Sequence, residues 1–400
     1  VSADLEFDSL QAMRDVQHFG EEGGVVPVID VAATSTFLDP ADMERAFRGE
    51  IEGCYLYSRH MNPTVTAFGK KLAAMEGAEA ALGVASGMAA IACTLERLCQ
   101  HGDHIVCSRS VYGGTYALLA NVFPRRGIRV SFVDINDLAA VNAAFTPQTK
   151  VLYTEALSNP LLETADIPGL ARIAHAQKAA LVVDNTFTPL SMRPLHHGAD
   201  VVVYSCTKYI SGGSDMIAGA VVGKRDFVQS LVDVNHGPVM LGGAVMDARV
   251  AHELYLRLDH LPLRMEAHGR AAQFLAQKMK SIGVRVLYPG LEGHPGHALF
   301  RALGVHEFGF GGVVSIDCGS PDRARRLASL LQTEKFGLYA VSLGFSRTLM
   351  SCPSLSTSSE IPEAEQKAMG LNPALLRLSI GYTGRGETLW ERFEKCWKTL

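Results

Sequence analysis

Between residues 80 and 223 the chain alternates short runs of apolar residues with stretches of helical spacing. The runs are Ala81–Val84, His104–Cys107, Val130–Val133, Val151–Glu155, Leu181–Asp184, Val201–Tyr204 and Ala218–Val222. Most lack polar alternation, so both faces of each strand must be buried, and helices are what cover such a sheet. The pattern predicts an α/β fold with a mostly parallel sheet covered by helices. A chain of 400 residues also has room for a second domain. Lys+Arg number 37 against 41 Asp+Glu, with no long run of one sign, so no electrostatic footprint for nucleic acid exists and a small substrate is expected.

A mean hydropathy of +0.12 raises the question of a membrane segment. The best candidate, the uncharged Ala80–Leu95, is shorter than the ~20 residues a bilayer needs and holds Ser86 and two glycines, so no span is expected. From about Met246 to Ile282 helix formers take over, with Leu254, Leu258 and Leu261 at helical spacing. Strands then return less regularly at Val284–Tyr288, Gly312–Asp317, Gly337–Ser342 and Leu375–Ile380, which reads as a smaller α+β C-terminal domain. The first sixty residues, with Pro27, Pro40 and the adjacent Gly23-Gly24, hold no core-forming unit and are expected to form an arm over another surface. The expected boundaries are therefore 1–60, 61–258 and 259–400. Val1 to Asp8 carries two acids and no basic-then-apolar pattern, so no signal peptide is expected. Eight scattered cysteines without a C-x-x-C pair read as reduced thiols of a cytoplasmic protein.

Ligands of an open parallel sheet bind beyond the carboxyl ends of its strands, so polar residues directly after apolar runs are the first candidates. Gly83-Val84-Ala85-Ser86-Gly87-Met88 reads as strand, turn and helix start. It would aim free N–H groups at an anion, although Ser-Gly turns also arise for steric reasons alone. Leu181 to Thr186 places Asp184 deep in the sheet. A carboxylate there either caps or turns the chain, or pairs with a cationic ring or a metal. Lys208 follows the run Val201–Tyr204, with hydroxyls at Ser205 and Thr207 and apolar or aromatic neighbours on both sides. Most such lysines are solvated, but these surroundings would depress the pKa and leave a nucleophilic amine, and the hydroxyls could hold a phosphate. An aldehyde trap at Lys208, a pyridinium partner at Asp184 and an anion site at Ser86–Met88 together match what pyridoxal phosphate requires.

Other motifs do not hold up. Gly309-Phe310-Gly311-Gly312 lacks the third glycine of a dinucleotide fingerprint, and Gly223-Lys224 is followed by Arg225 where a P-loop needs Ser or Thr. His196-His197 would diverge on a regular element, and His294-Pro295-Gly296-His297 has no nearby Cys or acid, so no metal site is expected.

Taken together, Tyr57-Ser58-Arg59-His60-Met61-Asn62-Pro63-Thr64, Ser86-Gly87-Met88, Val111-Tyr112-Gly113-Gly114-Thr115, Ser158-Asn159-Pro160, Asp184-Asn185-Thr186-Phe187, Ser205-Cys206-Thr207-Lys208, Ser342-Leu343-Gly344 and Arg377-Leu378-Ser379 resemble the Cys/Met-metabolism family of pyridoxal-phosphate enzymes, fold-type I, over almost the whole chain. The resemblance implies that Lys208 binds the cofactor as a Schiff base, that Asp184 pairs with the ring nitrogen, and that Tyr112 stacks on the ring and serves as acid or base. It gives the phosphate to Gly87, Met88, Ser205 and Thr207, with Ser86 and Thr186 also at the cofactor and Asn159 on the ring hydroxyl. Tyr57 and Arg59 reach the phosphate of a neighbouring subunit, which implies a dimer with shared sites, assembled into a homotetramer. Arg377 holds the substrate carboxylate, and Ser342 lines the substrate site; without the resemblance, Arg377 could equally serve an inter-domain salt bridge.

Family members that act on cystathionine commonly carry Glu immediately before Ser-Leu-Gly, whereas here Val341 stands there, which suits an apolar tail such as a thioether methyl. Ser356-Thr357-Ser358-Ser359-Glu360, Ser379-Ile380-Gly381-Tyr382-Thr383-Gly384 and Gly114 are similar to methionine γ-lyases of the plant type. The implied activity is α,γ-elimination of L-methionine, or of a related γ-substituted amino acid, to methanethiol, ammonia and 2-oxobutanoate. The alternatives are a cystathionine γ-lyase or γ-synthase, an O-acylhomoserine sulfhydrylase, a lyase for another amino acid with a γ-heteroatom, or an inactive scaffold relative.

Overall fold

The structure is a computed structural model that describes residues 8–16, 24–48, 50–51, 53–356 and 358–400. Residues 1–7, on which the expectation of no leader rests, lie outside these, as do Gly23 and Thr357 of the motifs above. The chain forms two compact units, a smaller one of residues 1–97, 203–207 and 216–260 and a larger one of residues 98–202, 208–215 and 261–400.

The expected apolar runs are strands, with ends shifted by a residue or two: β1 (Ala80–Val84), β2 (His104–Ser108), β3 (Arg129–Val133), β4 (Thr149–Glu155), β5 (Ala180–Asp184), β6 (Val201–Tyr204) and β7 (Gly219–Gly223). In the larger unit β3, β2, β4 and β5 lie side by side, all parallel. Every residue of β2, and every residue of β4 except Lys150, is buried, as the missing polar alternation requires. The helix Ile167–Ala176 leads into β5: Asp166 caps it by accepting from the Gly169 amide at 3.0 Å, and it buries Ile167, Leu170, Ala171 and Ala174.

In the smaller unit β1 and β7 pair antiparallel, a departure from the parallel pattern that an apolar run cannot reveal, since burial on both faces reads alike in either direction. The helix Pro63–Glu76 starts with Asn62 accepting from the Thr64 and Val65 amides and ends at Gly77 with φ of 65°. It buries Lys71, whose ammonium lies 4.0 Å from the centre of the Tyr255 ring and pairs with Asp259. The described part of the first sixty residues holds the helices Ser9–Arg14 and Pro40–Phe47 and leaves Val25, Val28 and Val31 exposed in this chain.

A second sheet in the larger unit has the order β10 (Leu338–Tyr339), β11 (Leu349–Ser351), β12 (Leu375–Ser379), β9 (Val313–Asp317) and β8 (Arg285–Leu287), antiparallel except for the β10–β11 pair. Helices Leu261–Ser281, Pro321–Thr333 and Gly386–Lys398 share its core with Leu376, Leu378, Val314 and Ile316. Two expectations need correction. The strand expected at Gly337–Ser342 stops at Tyr339, because Ser342 turns to a φ of 108° that no strand contains. The helical stretch expected from Met246 to Ile282 is two helices, Ala248–Asp259 and Leu261–Ser281, with Pro262 in the first turn of the second, where its missing N–H costs nothing.

Gly69 gives a test of packing against propensity. Alanine is the better helix former by ~1 kcal/mol in an open helix, but a Cβ on Gly69 would stand 2.4 Å from the carbonyl oxygen of Ala81 in β1. Gly69→Ala is therefore expected to destabilise the protein by about 1–3 kcal/mol, read as a lower midpoint in urea unfolding. A gain in stability would show that the helix and β1 are not in close contact.

Candidate active site

The larger unit gathers buried charges that have no counter-charge within it. Lys208 follows β6, and its Nζ donates to Ser342 Oγ at 3.0 Å. Burial, helped by the nearby Arg377 guanidinium, lowers its pKa to about 8. Arg377 sits in β12, 2% exposed, and donates through Nη1 to Asn159 Oδ1 at 2.9 Å and through Nη2 to the Ser342 carbonyl at 3.1 Å. Burial pulls its pKa down to about 10. Among the described residues no carboxylate pairs with either cation. The alternative of a salt bridge for Arg377 thus finds no partner. Ser342, held at its hydroxyl by Lys208 and at its carbonyl by Arg377, keeps a φ of 108° that costs a residue with a side chain ~1–3 kcal/mol.

Asp184 ends β5, 9% exposed, and its Oδ1 accepts from the Thr186 amide at 2.9 Å, so the Asx turn that sequence allowed is present. Its Oδ2 lies 3.5 Å from the Tyr153 hydroxyl, and burial raises its pKa. Beside it in register on β4 is Glu155, whose pKa burial first and Asp184 second push up to about 8. No cation among the described residues pairs with this buried acid pair. Glu155 accepts from the backbone amides of Tyr112 at 2.7 Å and Asn159 at 2.8 Å. Tyr112 stands at the start of the short helix Gly113–Ala117, and burial, then the charge of Glu360, raises its pKa, so the phenol is protonated at neutral pH. A Cβ on Gly114 would lie 2.5 Å from the edge of the Tyr112 ring, so the missing side chain makes room for that ring. Val341 is 62% exposed in the loop before Ser342.

In the smaller unit the 12-residue helix Gly87–Leu98 opens directly after Ser86, whose Oγ accepts from the Ala89 amide at 3.0 Å. A Cβ on Gly87 would stand 2.6 Å from Ser205 Cβ, so only glycine lets the chain after β6 pass against the helix start. Met88 in that first turn is half-buried, and Thr207 Oγ1 accepts from the Ala218 amide at 3.0 Å. Tyr57 and Arg59 are exposed; the guanidinium carbon lies 5.5 Å from the centre of the Tyr57 ring, and Nη1 donates to the Met240 carbonyl at 2.7 Å.

Taken unit by unit, the donors suit parts of pyridoxal phosphate and of an amino acid. Helix-start amides and hydroxyls of the smaller unit suit a phosphate. In the larger unit an amine of lowered pKa suits an aldehyde, an unpaired buried acid suits a protonated ring nitrogen, and an unpaired buried guanidinium suits a carboxylate. Sequence reasoning did not single out Glu155, although the signal used for Asp184, an acid that ends an apolar run, is present there too. Arg264 is another such residue: it reaches from the helix Leu261–Ser281 to the carbonyls of Tyr209 and Ile210 in the turn after Lys208.

Comparison with known proteins bears on the chain as a whole. The sequence profile of the family described as Cys/Met metabolism PLP-dependent enzyme matches residues 10–388. The chain is 46% identical over 396 residues to the methionine gamma-lyase of Arabidopsis thaliana, covering 97% of this chain and 90% of that protein. It is 38% identical to the O-succinylhomoserine sulfhydrylase of Pseudomonas aeruginosa, with 95% and 93% covered. A solved structure from Campylobacter jejuni, assigned as an O-acetylhomoserine (thiol)-lyase and carrying a pyridoxyl-lysine monophosphate, superposes with a TM-score of 0.91 at 27% identity, over 98% of this chain and 100% of that one. With its mostly parallel sheet, its covering helices and a profile match along nearly its whole length, the chain belongs to the Cys/Met metabolism family of PLP-dependent enzymes, fold-type I.

Proposed function

We propose that the chain is a carbon–sulfur lyase that, with water, converts L-methionine to methanethiol, ammonia and 2-oxobutanoate. The observation that supports the cofactor and amino-acid part of this assignment is the set of buried groups in the larger unit, Lys208 and Arg377 without a carboxylate and Asp184 without a cation, and the similarity to a methionine gamma-lyase supports the reaction. When bound, pyridoxal phosphate supplies an aldehyde for an amine and a ring that takes up the electron pair left by proton removal.

The protein's own groups do the rest. Lys208 would hold the cofactor, and its amine, when free, would take the substrate α-proton and pass protons onward, as a lysine of lowered pKa can near neutrality. Asp184 would pair with the ring nitrogen and favour its protonated form, since burial leaves its own charge in need of a cation. Arg377, with Asn159 fixing one arm of its fork, grips the α-carboxylate. Tyr112, whose raised pKa keeps it protonated, donates to the departing sulfur. Ser86, Gly87, Met88, Ser205 and Thr207 hold the phosphate, and Thr186 steadies Asp184. Tyr57 and Arg59, exposed within one chain, serve the phosphate of a neighbouring subunit in a cytoplasmic homotetramer of shared-site dimers, with residues 1–60 as the arm, 61–258 as the cofactor domain and 259–400 as the C-terminal domain.

Val341 and Ser342 line the distal part of the substrate site, where an apolar side chain favours a thioether methyl over a second amino-acid head group. The similarity to the Arabidopsis thaliana methionine gamma-lyase supports this choice. The similarity to the Pseudomonas aeruginosa O-succinylhomoserine sulfhydrylase keeps a replacement reaction as the second candidate. Incubating the protein with methionine, cystathionine and O-succinylhomoserine, with and without added sulfide, separates the two: methanethiol and 2-oxobutanoate from methionine alone are expected, and a requirement for sulfide would favour the second.

Lys208→Ala is expected to lose both turnover and the visible absorption of the lysine-bound cofactor, and a retained band would refute its role. In protein stripped of cofactor only the neutral amine attacks the aldehyde, so the rate of pyridoxal phosphate capture should rise with pH and level off above about 8. A rise that continues toward 10.5, the ordinary lysine value, would contradict the buried setting of the amine. Val341→Glu should lower the ratio of methionine to cystathionine turnover by ~10-fold; an unchanged ratio would remove Val341 from the substrate site.

A further inference from the structure

Glu155 is buried, ionisable and not used by the chemistry above. Its position is costly: it is 6% exposed, and its Cα is in register with that of Asp184 on the parallel neighbour, which puts both side chains on one face of the sheet. The titratable groups that face it are Asp184, Tyr153, Cys107 and Tyr112, none of them a cation. A neutral side chain would fill this place at far lower cost.

The ionised form of Glu155, which its two amide donors favour against burial, offers two acceptors at once. Oε1 takes the Tyr112 amide at 2.7 Å, and Oε2 takes the Asn159 amide at 2.8 Å. Those amides belong to loops that leave two different strands, β2 and β4. A glutamine could satisfy only one, because its second head atom is itself a donor. The bonds do not stop there. Asn159 Oδ1 accepts from Arg377 at 2.9 Å, Arg377 donates to the Ser342 carbonyl at 3.1 Å, and Ser342 Oγ accepts from Lys208 at 3.0 Å. One carboxylate is thus tied on one side to the backbone of Tyr112 and on the other, through three further hydrogen bonds, to the amine of Lys208.

We infer that Glu155 is a positioning residue, whose carboxylate pins the backbone of Tyr112 and Asn159 and so fixes the acid and the carboxylate clamp relative to Lys208. This rests on the roles proposed for Tyr112, Asn159 and Lys208. Glu155 touches no reacting atom. Its part is to hold two loops in one register, where a displacement of about 1 Å costs ~100-fold in rate.

The test is Glu155→Gln in the holoenzyme. The variant should keep the visible band of the bound cofactor while the circular dichroism of that band, which reports the ring's contact with Tyr112, changes. Its kcat for methionine should fall about 10- to 100-fold. In a Tyr112→Phe background the same substitution should cost several-fold less than in the wild type, because the proton donor it positions is already gone and only the Asn159 arm is left to disturb. An unchanged dichroism, an unchanged kcat or an equal cost in both backgrounds overturns the inference. Should the variant fail to fold, deuterium exchange of the unmodified holoenzyme decides: the Tyr112 and Asn159 amides should be strongly protected, and exchange at the rate of an open loop overturns it. Failure of the proposed function would appear differently, as a wild-type protein that carries the visible band but forms no methanethiol from methionine.

Discussion

Ions buried without partners are expensive, and the larger unit holds them in both signs. A guanidinium 2% exposed that donates to a side-chain amide and a carbonyl, an amine whose pKa is pulled to about 8, and two acids in register on adjacent strands, each with its pKa raised by burial, are all costs to folding. A fold bears such costs where a ligand later compensates them. The sign of each unpaired group matches a part of one ligand pair: acid to ring nitrogen, amine to aldehyde, guanidinium to carboxylate. Pyridoxal phosphate with an amino acid meets all three.

The scaffold brings these groups together from rigid elements. Asp184 and Glu155 stand at the buried ends of parallel strands, and Arg377 lies between β9 and β11, antiparallel to both. Lys208, Asn159, Ser342 and Tyr112 come from turns and loops, and Ser342 and Tyr112 are tied down: Ser342 by Lys208 and Arg377, Tyr112 by Glu155. The φ of 108° at Ser342 is strain kept in place by those same bonds. Groups that must be exact are thereby fixed by the core, and the loops inherit their positions from it.

Much of this was legible in the residues. Strands buried on both faces leave apolar runs, and a polar residue after such a run marks the ligand-binding edge, which is how Asp184, Lys208 and Ser86 declared themselves. Strand direction was not legible, because β1 and β7 are as apolar as the parallel strands although they pair antiparallel. β11, three residues long, is too short to show a period. Glu155 carried the same signal as Asp184, but its use depends on the Tyr112 amide 43 residues earlier in the chain, a contact no local pattern contains. Tyr57 and Arg59 look like ordinary surface residues in a single chain, and family resemblance alone marks them.

The most direct measurement is a crystal structure of the holoenzyme with norleucine, a methionine isostere that has no sulfur to expel. The ring nitrogen should lie ~3 Å from the Asp184 carboxylate and the norleucine carboxylate at a similar distance from Arg377. A ring nitrogen turned away from Asp184, or a carboxylate bound elsewhere with Arg377 still unpaired, would contradict the idea that these buried charges are there to be completed by cofactor and substrate.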